Sequence, residues 1–368
     1  MKLVANLKLQ PTPEQAELLQ QTLERCNAAC DWISAQAWEH ETFRQFDLHQ
    51  LVYRSVREQF ELSSQVAVRC IAKVADAYKL DKETPRTFRP LGAQPYDDRI
   101  FRFMSDDRVS IWTLTGRIKI GFVCGEHQRQ LLKHRKGEVD LMFVRGHWYI
   151  AAVCDFDDPD LLKPEGVLGV DLGIVNIATD STGEKFSGKD IEAKRERYSQ
   201  RRAILQKKGT RAAKRRLKKM SGRQRRFQKW VNHNVSCRIV SKAERSQSAI
   251  SLEDLKHIRA RAKANKEQRK RLHNWGFAEL RGFIEYKARK AGVPVFVVDP
   301  RNTSRQCFVC GHIDKKNRSS QSVFRCVACG HEANADCNAA LNIGSRATVT
   351  KPMFAHQCVP GAVESPVL

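Results

Sequence analysis

The sequence predicts a mixed α/β layered domain preceded by a small β domain that carries a helical insertion. Three observations lead there. Residues 11–84 repeat apolar side chains at helical spacing; residues 88–153 break into short Val-, Ile-, Phe- and Trp-rich runs separated by turns; and from Gly166 onward strand-like runs alternate with long helical stretches. The 368 residues suffice for two to three domains with real cores.

Taken in order, residues 2–9 read as a strand. Thr12-Pro13-Glu14-Gln15 supplies an N-cap, a proline at the first helical position and a capping-box glutamine. Leu18, Leu19, Leu23, Cys26, Cys30 and Ile33 carry that helix to about His40, and helical pattern resumes over 47–60 and 63–82. Two hairpins follow, 108–114 with 117–123 around Thr115-Gly116, and 138–144 with 147–153 around Arg145-Gly146. Several in a row imply a small antiparallel sheet or barrel, with the helices inserted after its first strand. Trp112, Trp148, Tyr149 and Tyr96 of this region are able to stack on bases, but core packing suits most of them better.

A linker at 155–165 leads to Gly166–Asp171, then 174–179, a turn at 180–183, and 184–187, a three-strand meander by pattern. There follow a long basic helical stretch to about Lys242, a strand at 248–252, a basic connection, a helix at 275–291 and a strand at 293–298. Residues 345–368 lack periodicity and read as a loose tail.

The chain carries 65 Lys+Arg against 41 Asp+Glu, a net charge of +24, too basic for an ordinary metabolic enzyme and directed at a polyanion. Two stripes hold nearly all of it. Residues 194–229 contain 17 Lys/Arg and one acid, and residues 256–272 contain eight and one, which leaves +1 for everything else. A solvated helix face is the plain reading of such a stripe, but 17 to 1 leaves almost no intrahelical partner to relieve like-charge repulsion. The candidate phosphate contacts are Lys194, Arg195, Arg201, Arg202, Lys207, Lys208, Arg215, Arg216, Lys218, Lys219, Arg225 and Arg226 in the first stripe, Arg259 and Arg261 in the second, and Arg305. No apolar run reaches the ~18 residues of a membrane span, and the N-terminus lacks a signal-peptide core. The expectation is a soluble cytoplasmic protein that does not use a membrane.

Twelve cysteines without a secretion signal argue against a disulfide framework. Four of them form C-x2-C-x15-C-x2-C: Cys307, Cys310, Cys326 and Cys329, each pair followed by a glycine. Two such knuckles close a tetrahedral site for a structural Zn²⁺. A rubredoxin-type iron centre or an unmetallated redox pair is the alternative.

Phosphodiester hydrolysis needs an activated water and neutralised phosphate charge. Two Mg²⁺ ions about 3.5–4 Å apart supply both, held by carboxylates converging from separate elements. Asp171 ends an apolar strand, Glu253 ends another, and Asp336 opens a helix beyond the second knuckle. Taken singly, each also suits a turn, an ion pair or a helix cap. Asp254 reads as structural.

In order along the chain, Gly169-Val-Asp-Leu-Gly-Ile, Ser251-Leu-Glu-Asp-Leu, Asn302-Thr-Ser-Arg-Gln-Cys-Phe-Val-Cys-Gly, Phe324-Arg-Cys-Val-Ala-Cys-Gly and Asn334-Ala-Asp-Cys-Asn-Ala-Ala-Leu-Asn-Ile resemble TnpB, the transposon-encoded RNA-guided nucleases related to compact type V CRISPR effectors. The resemblance runs over about 1–344. It implies an RNase H-like RuvC nuclease domain split over 165–305 and 331–344, with Asp171, Glu253 and Asp336 as its magnesium-binding catalytic set. It further implies a zinc ribbon at 306–330 that handles target nucleic acid, a wedge-like β-barrel at 1–10 and 85–160, and a recognition lobe at 11–84. A guide RNA from the transposon end, double-stranded target DNA beside a short adjacent motif, and a monomer in the RNA complex are the partners it implies. Asn334-Ala335 departs from the charged pair common in the family. All three acids are present, which weighs against a non-cleaving RNA-guided repressor; a transposase accessory protein acting without RNA is the other alternative.

Overall fold

The computed structural model describes residues 1–173, 176–187, 189–255, 276–320 and 322–347. The described chain divides after Asp157 into two units.

The first unit contains β1 (Lys2–Gln10), α1 (Pro13–Glu39), α2 (Gln45–Phe60), α3 (Ser64–Leu80), β2 (Gln94–Tyr96), β3 (Phe101–Phe103), β4 (Arg108–Thr113), β5 (Gly116–Val123), α4 (Glu126–Leu132), β6 (Arg135–Val144) and β7 (His147–Asp155). The capping box at Thr12 and Gln15 forms as the sequence predicts, with Pro13 in the first turn. Leu19, Leu23, Cys26, Cys30 and Ile33 of α1 are buried in one core with α2, α3 and the sheet. Burial pushes the thiol of Cys30 well up, and a hydrogen bond with Cys26, then burial, does the same for Cys70, so these cysteines behave as small apolar side chains.

The seven strands run in the order β2-β6-β7-β1-β5-β4-β3, all antiparallel. The two edge strands β2 and β3 are neighbours in sequence, so the sheet must curl until its edges nearly meet. The Tyr96 hydroxyl donates to the Trp112 carbonyl at 3.2 Å, linking β2 to β4. Tyr96 and Trp148 are buried and Trp112 packs against the same core, which is the packing role expected for them. Periodicity did not reveal β2, β3 and α4, because three-residue strands and a two-turn helix are shorter than the windows that carry it.

The second unit contains β8 (Gly166–Asp171), β9 (Asn176–Asp180), β10 (Lys185–Ser187), α5 (Lys189–Lys208), α6 (Arg211–Arg245), β11 (Ser248–Glu253), α7 (Phe277–Lys290), β12 (Val295–Val298), a 3₁₀ turn (Lys315–Asn317), β13 (Val323–Arg325), β14 (Glu332–Asn334) and α8 (Ala335–Arg346). Its main sheet has the order β10-β9-β8-β11-β12: an antiparallel meander, with β11 and β12 added parallel to β8. The even-numbered side chains Leu168, Val170, Ile250 and Leu252 join one core with Val235 and Ile239 of α6 and Leu280 and Ile284 of α7. The odd-numbered face is covered by α8. Ser251 donates to the Ile343 carbonyl at 2.7 Å, and a Cβ on Gly169 would collide with the Ala340 carbonyl and meet the Gly344 nitrogen at 2.5 Å. Only glycine lets α8 approach β8 so closely.

The basic stretch is helical as expected and is divided into two helices, because Gly209 takes φ +63° and Thr210 caps α6 by accepting from the Ala213 amide at 3.2 Å. The loose tail starts too early at Ser345, since α8 continues to Arg346; the remainder, like the basic connection at 256–275, lies outside the described residues.

Candidate functional site

The acid cluster follows from strand parity and register. β8 and β11 are parallel with Ser251 beside Gly169 and Leu252 beside Val170, which sets Glu253 beside Asp171 at the carboxyl ends of both strands. Side chains two apart share a face, so both acids lie on the face of Gly169 and Ser251, under α8. That helix covers Gly169 with Ala340 and Gly344. Its first turn therefore reaches the strand ends, and there it carries Asp336. Asn334, accepting from the Cys337 amide, is the N-cap, which releases Asp336 from the capping role that a helix-opening Asp usually has. Asp254 faces away and pairs with Arg281 at 2.9 Å, the structural part expected of it.

Each of two acids is held by a donor. Asn176 donates to Asp336 at 2.9 Å, and Arg318 approaches its other oxygen at 3.4 Å. The Thr303 hydroxyl donates to Glu253. Burial, then the Glu253 and Asp336 charges, push Asp171 up to about 8, against a smaller opposing pull from Arg318. Burial also raises Glu253, offset by Thr303 and Arg346. The donor set is hard oxygen on three elements, its like charges only partly offset by Arg318 and Arg346, and it fits Mg²⁺ by its chemistry. The three carboxylates are more widely spaced than the thiols below, since among the described residues only the thiols all lie within 4.8 Å of one another.

The cysteine cluster closes locally. In both knuckles a backbone amide of the first cysteine donates to a histidine carbonyl at 2.9 Å, Cys307 to His312 and Cys326 to His331. Gly311 and Gly330 take φ +76° and +72° to complete the turns. Cys307 and Cys329 sulfurs are 3.7 Å apart, and Cys310 and Cys326 sulfurs 3.5 Å. Ligands about 2.3 Å from a tetrahedral centre stand about 3.8 Å apart, so the set fits Zn²⁺. The Cys329 and Ala328 backbone amides point at the Cys326 sulfur and favour its ionised form.

The basic residues divide by exposure. Lys194, Arg201, Lys207, Lys208, Arg215, Arg216, Lys218, Lys219, Arg225, Arg226 and Arg305 are exposed. Arg195 and Arg202 are half-buried and bond Gln228 and Gln224, tying α5 to α6. Arg259 and Arg261 lie outside the described residues. Thr303, Asn176 and Arg318 are not distinguished by sequence pattern: Thr303 stands inside a motif dominated by its cysteines, and Arg318 sits in the interval between knuckles, where no spacing rule points to it.

The described chain combines a curled antiparallel sheet carrying a helical insertion with a five-stranded α/β domain bearing a four-cysteine cluster. A Cas12f1 chain, solved by cryo-EM in a complex with sgRNA and target DNA, shares the fold with TM-score 0.61 at 17% identity, over 88% of this chain and 82% of that one. The family model described as "Probable transposase" matches residues 152–259, and the "Cas12f1-like, TNB domain" model matches 277–343. A CRISPR-associated endodeoxyribonuclease Cas12f1 of Sulfoacidibacillus thermotolerans is 33% identical over 217 residues, 54% of this chain and 50% of that protein. A TnpB-like protein of Methanocaldococcus jannaschii is 28% identical over 260 residues, 66% of this chain and 92% of that protein. By sequence the chain is similar to TnpB-like proteins, as its motifs suggested. It spans about half the length of the first Cas12f1 relative. Among the described residues no helix is long and apolar enough to cross a membrane.

Proposed function

We propose that this chain is an RNA-guided DNA endonuclease that hydrolyses target DNA with two Mg²⁺ ions held by Asp171, Glu253 and Asp336. The observation that carries the reading is the convergence of these three acids, from residues far apart in sequence, on one face at the strand ends. In this reading the second unit is an RNase H-like RuvC domain, 165–305 and 331–344, with 306–330 as a zinc ribbon on target nucleic acid. The first unit is a wedge-like barrel with a recognition lobe at 11–84. The relatives' names support the activity, and the solved Cas12f1 complex supports guide RNA and target DNA as partners. The protein acts as a monomer on its RNA, in the cytoplasm of a prokaryote, at sites beside a short adjacent motif.

When bound, the two cations supply an activated water and neutralise charge at the leaving 3′ oxygen. The chain's own residues prepare for this. Asn176 and Arg318 fix the Asp336 carboxylate, and Thr303 fixes that of Glu253. The exposed Lys and Arg of α5 and α6 hold phosphates without reading sequence, leaving that to base pairing.

The test is expression with the flanking genomic DNA, sequencing of copurified RNA, and plasmid cleavage by wild type and Asp171→Ala. The expected result is a defined RNA, Mg²⁺-dependent cutting, and a variant that keeps RNA but does not cut. Absence of RNA, or equal cutting by the variant, overturns the proposal.

A further inference from the structure

Thr179 on β9 is 1% exposed, and its hydroxyl has no hydrogen-bond partner. Two other buried side-chain atoms among the described residues share that condition, Ser63 Oγ and Arg69 Nε, and both belong to the first unit. An unpaired buried hydroxyl forfeits its hydration, and valine would fill the same space in a strand without that cost. Its position is therefore informative.

Thr179 stands directly opposite Asp171 in the antiparallel ladder of β8 and β9. Directly opposed residues project to the same face with Cβ atoms about 4.5–5.5 Å apart. The next pair, Val170 and Asp180, projects to the other face, and there Asp180 bonds Lys242 of α6. The Thr179 and Asp171 side chains thus share the face beneath α8 as direct cross-strand neighbours. The acids meanwhile are unevenly supported. Glu253 has Thr303, and Asp336 has Asn176 and Arg318, while no donor among the described residues bonds the Asp171 carboxylate. A buried donor without an acceptor adjoins the one acid of the cluster without a donor.

We propose that Thr179 is a positioning residue for the acid cluster: in the cation-loaded site its hydroxyl donates to the Asp171 carboxylate oxygen turned away from the ion, and holds that carboxylate in its liganding rotamer. The inference rests on the reading of the cluster as a divalent-cation site. Partners behind a liganding carboxylate set its orientation, and losing one costs about 10–100-fold in metal affinity or activity.

The experiment uses the full chain with its copurified RNA, as wild type, Thr179→Val, Thr179→Ser and Asp171→Ala. Mn²⁺ is titrated and free ion followed by electron paramagnetic resonance. In parallel, the Mg²⁺ concentration for half-maximal plasmid cleavage and the thermal midpoint without divalent ions are recorded. Thr179→Val is expected to weaken Mn²⁺ binding and raise the Mg²⁺ requirement about 10–100-fold, with an undiminished thermal midpoint. Thr179→Ser, which keeps the hydroxyl, is expected near wild type. A Thr179→Val protein that binds Mn²⁺ like wild type while Asp171→Ala loses it sinks the role of Thr179 and leaves the cation site standing. Retention of Mn²⁺ binding and cleavage by Asp171→Ala overturns both. Should Thr179→Val fail to fold, Thr179→Ala against Thr179→Ser decides on the same readouts.

Discussion

The four cysteines and the three acids are both donor sets of the second unit, yet they are built by opposite rules. The cysteines come from two short turns, their thiols 3.5 and 3.7 Å apart, with a thiol already drawn toward ionisation by its own backbone amides. The acids come from the ends of two parallel strands and the first turn of a helix, spaced more widely, and burial with mutual repulsion pushes Asp171 up to about 8. The first set offers four protein thiols, enough to fill a tetrahedral shell, and suits an ion that stabilises structure. The second gathers three acids at a cost to the fold, as the proposed cation site requires.

Breaking either set separates them. The largest expected effect is that of Cys326→Ser, because structural zinc sites bind with roughly 10–16 kcal/mol and that energy is folding energy. Zinc analysis should show the ion lost, and proteolysis should cut the chain near residues 306–330. A variant that keeps stoichiometric zinc contradicts the contrast. Next comes Asp336→Ala, where cleavage should fall on the order of 10³-fold or more, about 4 kcal/mol of transition-state stabilisation. Its zinc content should equal that of wild type.

The same contrast explains what was legible in the sequence. Cys307, Cys310, Cys326 and Cys329 announce themselves because their geometry is local: the spacing is the turn. Asp171, Glu253 and Asp336 were visible as acids at strand and helix ends, but parity, register and the Gly169 contact that bring them together are tertiary. Thr179, Asn176, Thr303 and Arg318 carry no local signal, since a hydroxyl or amide near a strand end is common and only its neighbours distinguish it. In the first unit, α1 was legible from its capping box and stripe. The closure of the sheet was not, because it depends on β2 and β3, three residues each.

A further effect, set by pH, tests the claim that the acid cluster burdens the fold. Asp171 titrates near 8 in the folded protein, against about 3.9 for an ordinary aspartate. Between those values the folded state keeps a proton that the unfolded chain has released, so stability declines as pH rises from about 4 to about 8. The decline from this group has an upper limit of about 6 kcal/mol. Thermal unfolding without divalent ions should show it, and Asp171→Asn should flatten it while raising the midpoint at pH 8. The cysteine cluster, with zinc bound, should show no such slope. A wild-type protein whose metal-free stability is level over this range removes the electrostatic half of the comparison.

The smallest effect concerns how the acids are brought together. Gly169 faces α8 so closely that any side chain must push the helix outward, and the obstructing atoms are the Ala340 carbonyl and Gly344 backbone, which cannot rotate away. Gly169→Ala should therefore cost about 1–3 kcal/mol, the usual range for overpacking, read as a lower denaturant midpoint. Because α8 carries Asp336, the same shift should lower cleavage even at temperatures where the variant is fully folded. The cysteines stand outside this contact, so zinc retention should not change. A Gly169→Ala protein that is less stable but cuts at the wild-type rate means that Asp336 is held by Asn176 and Arg318 and not by the seating of its helix.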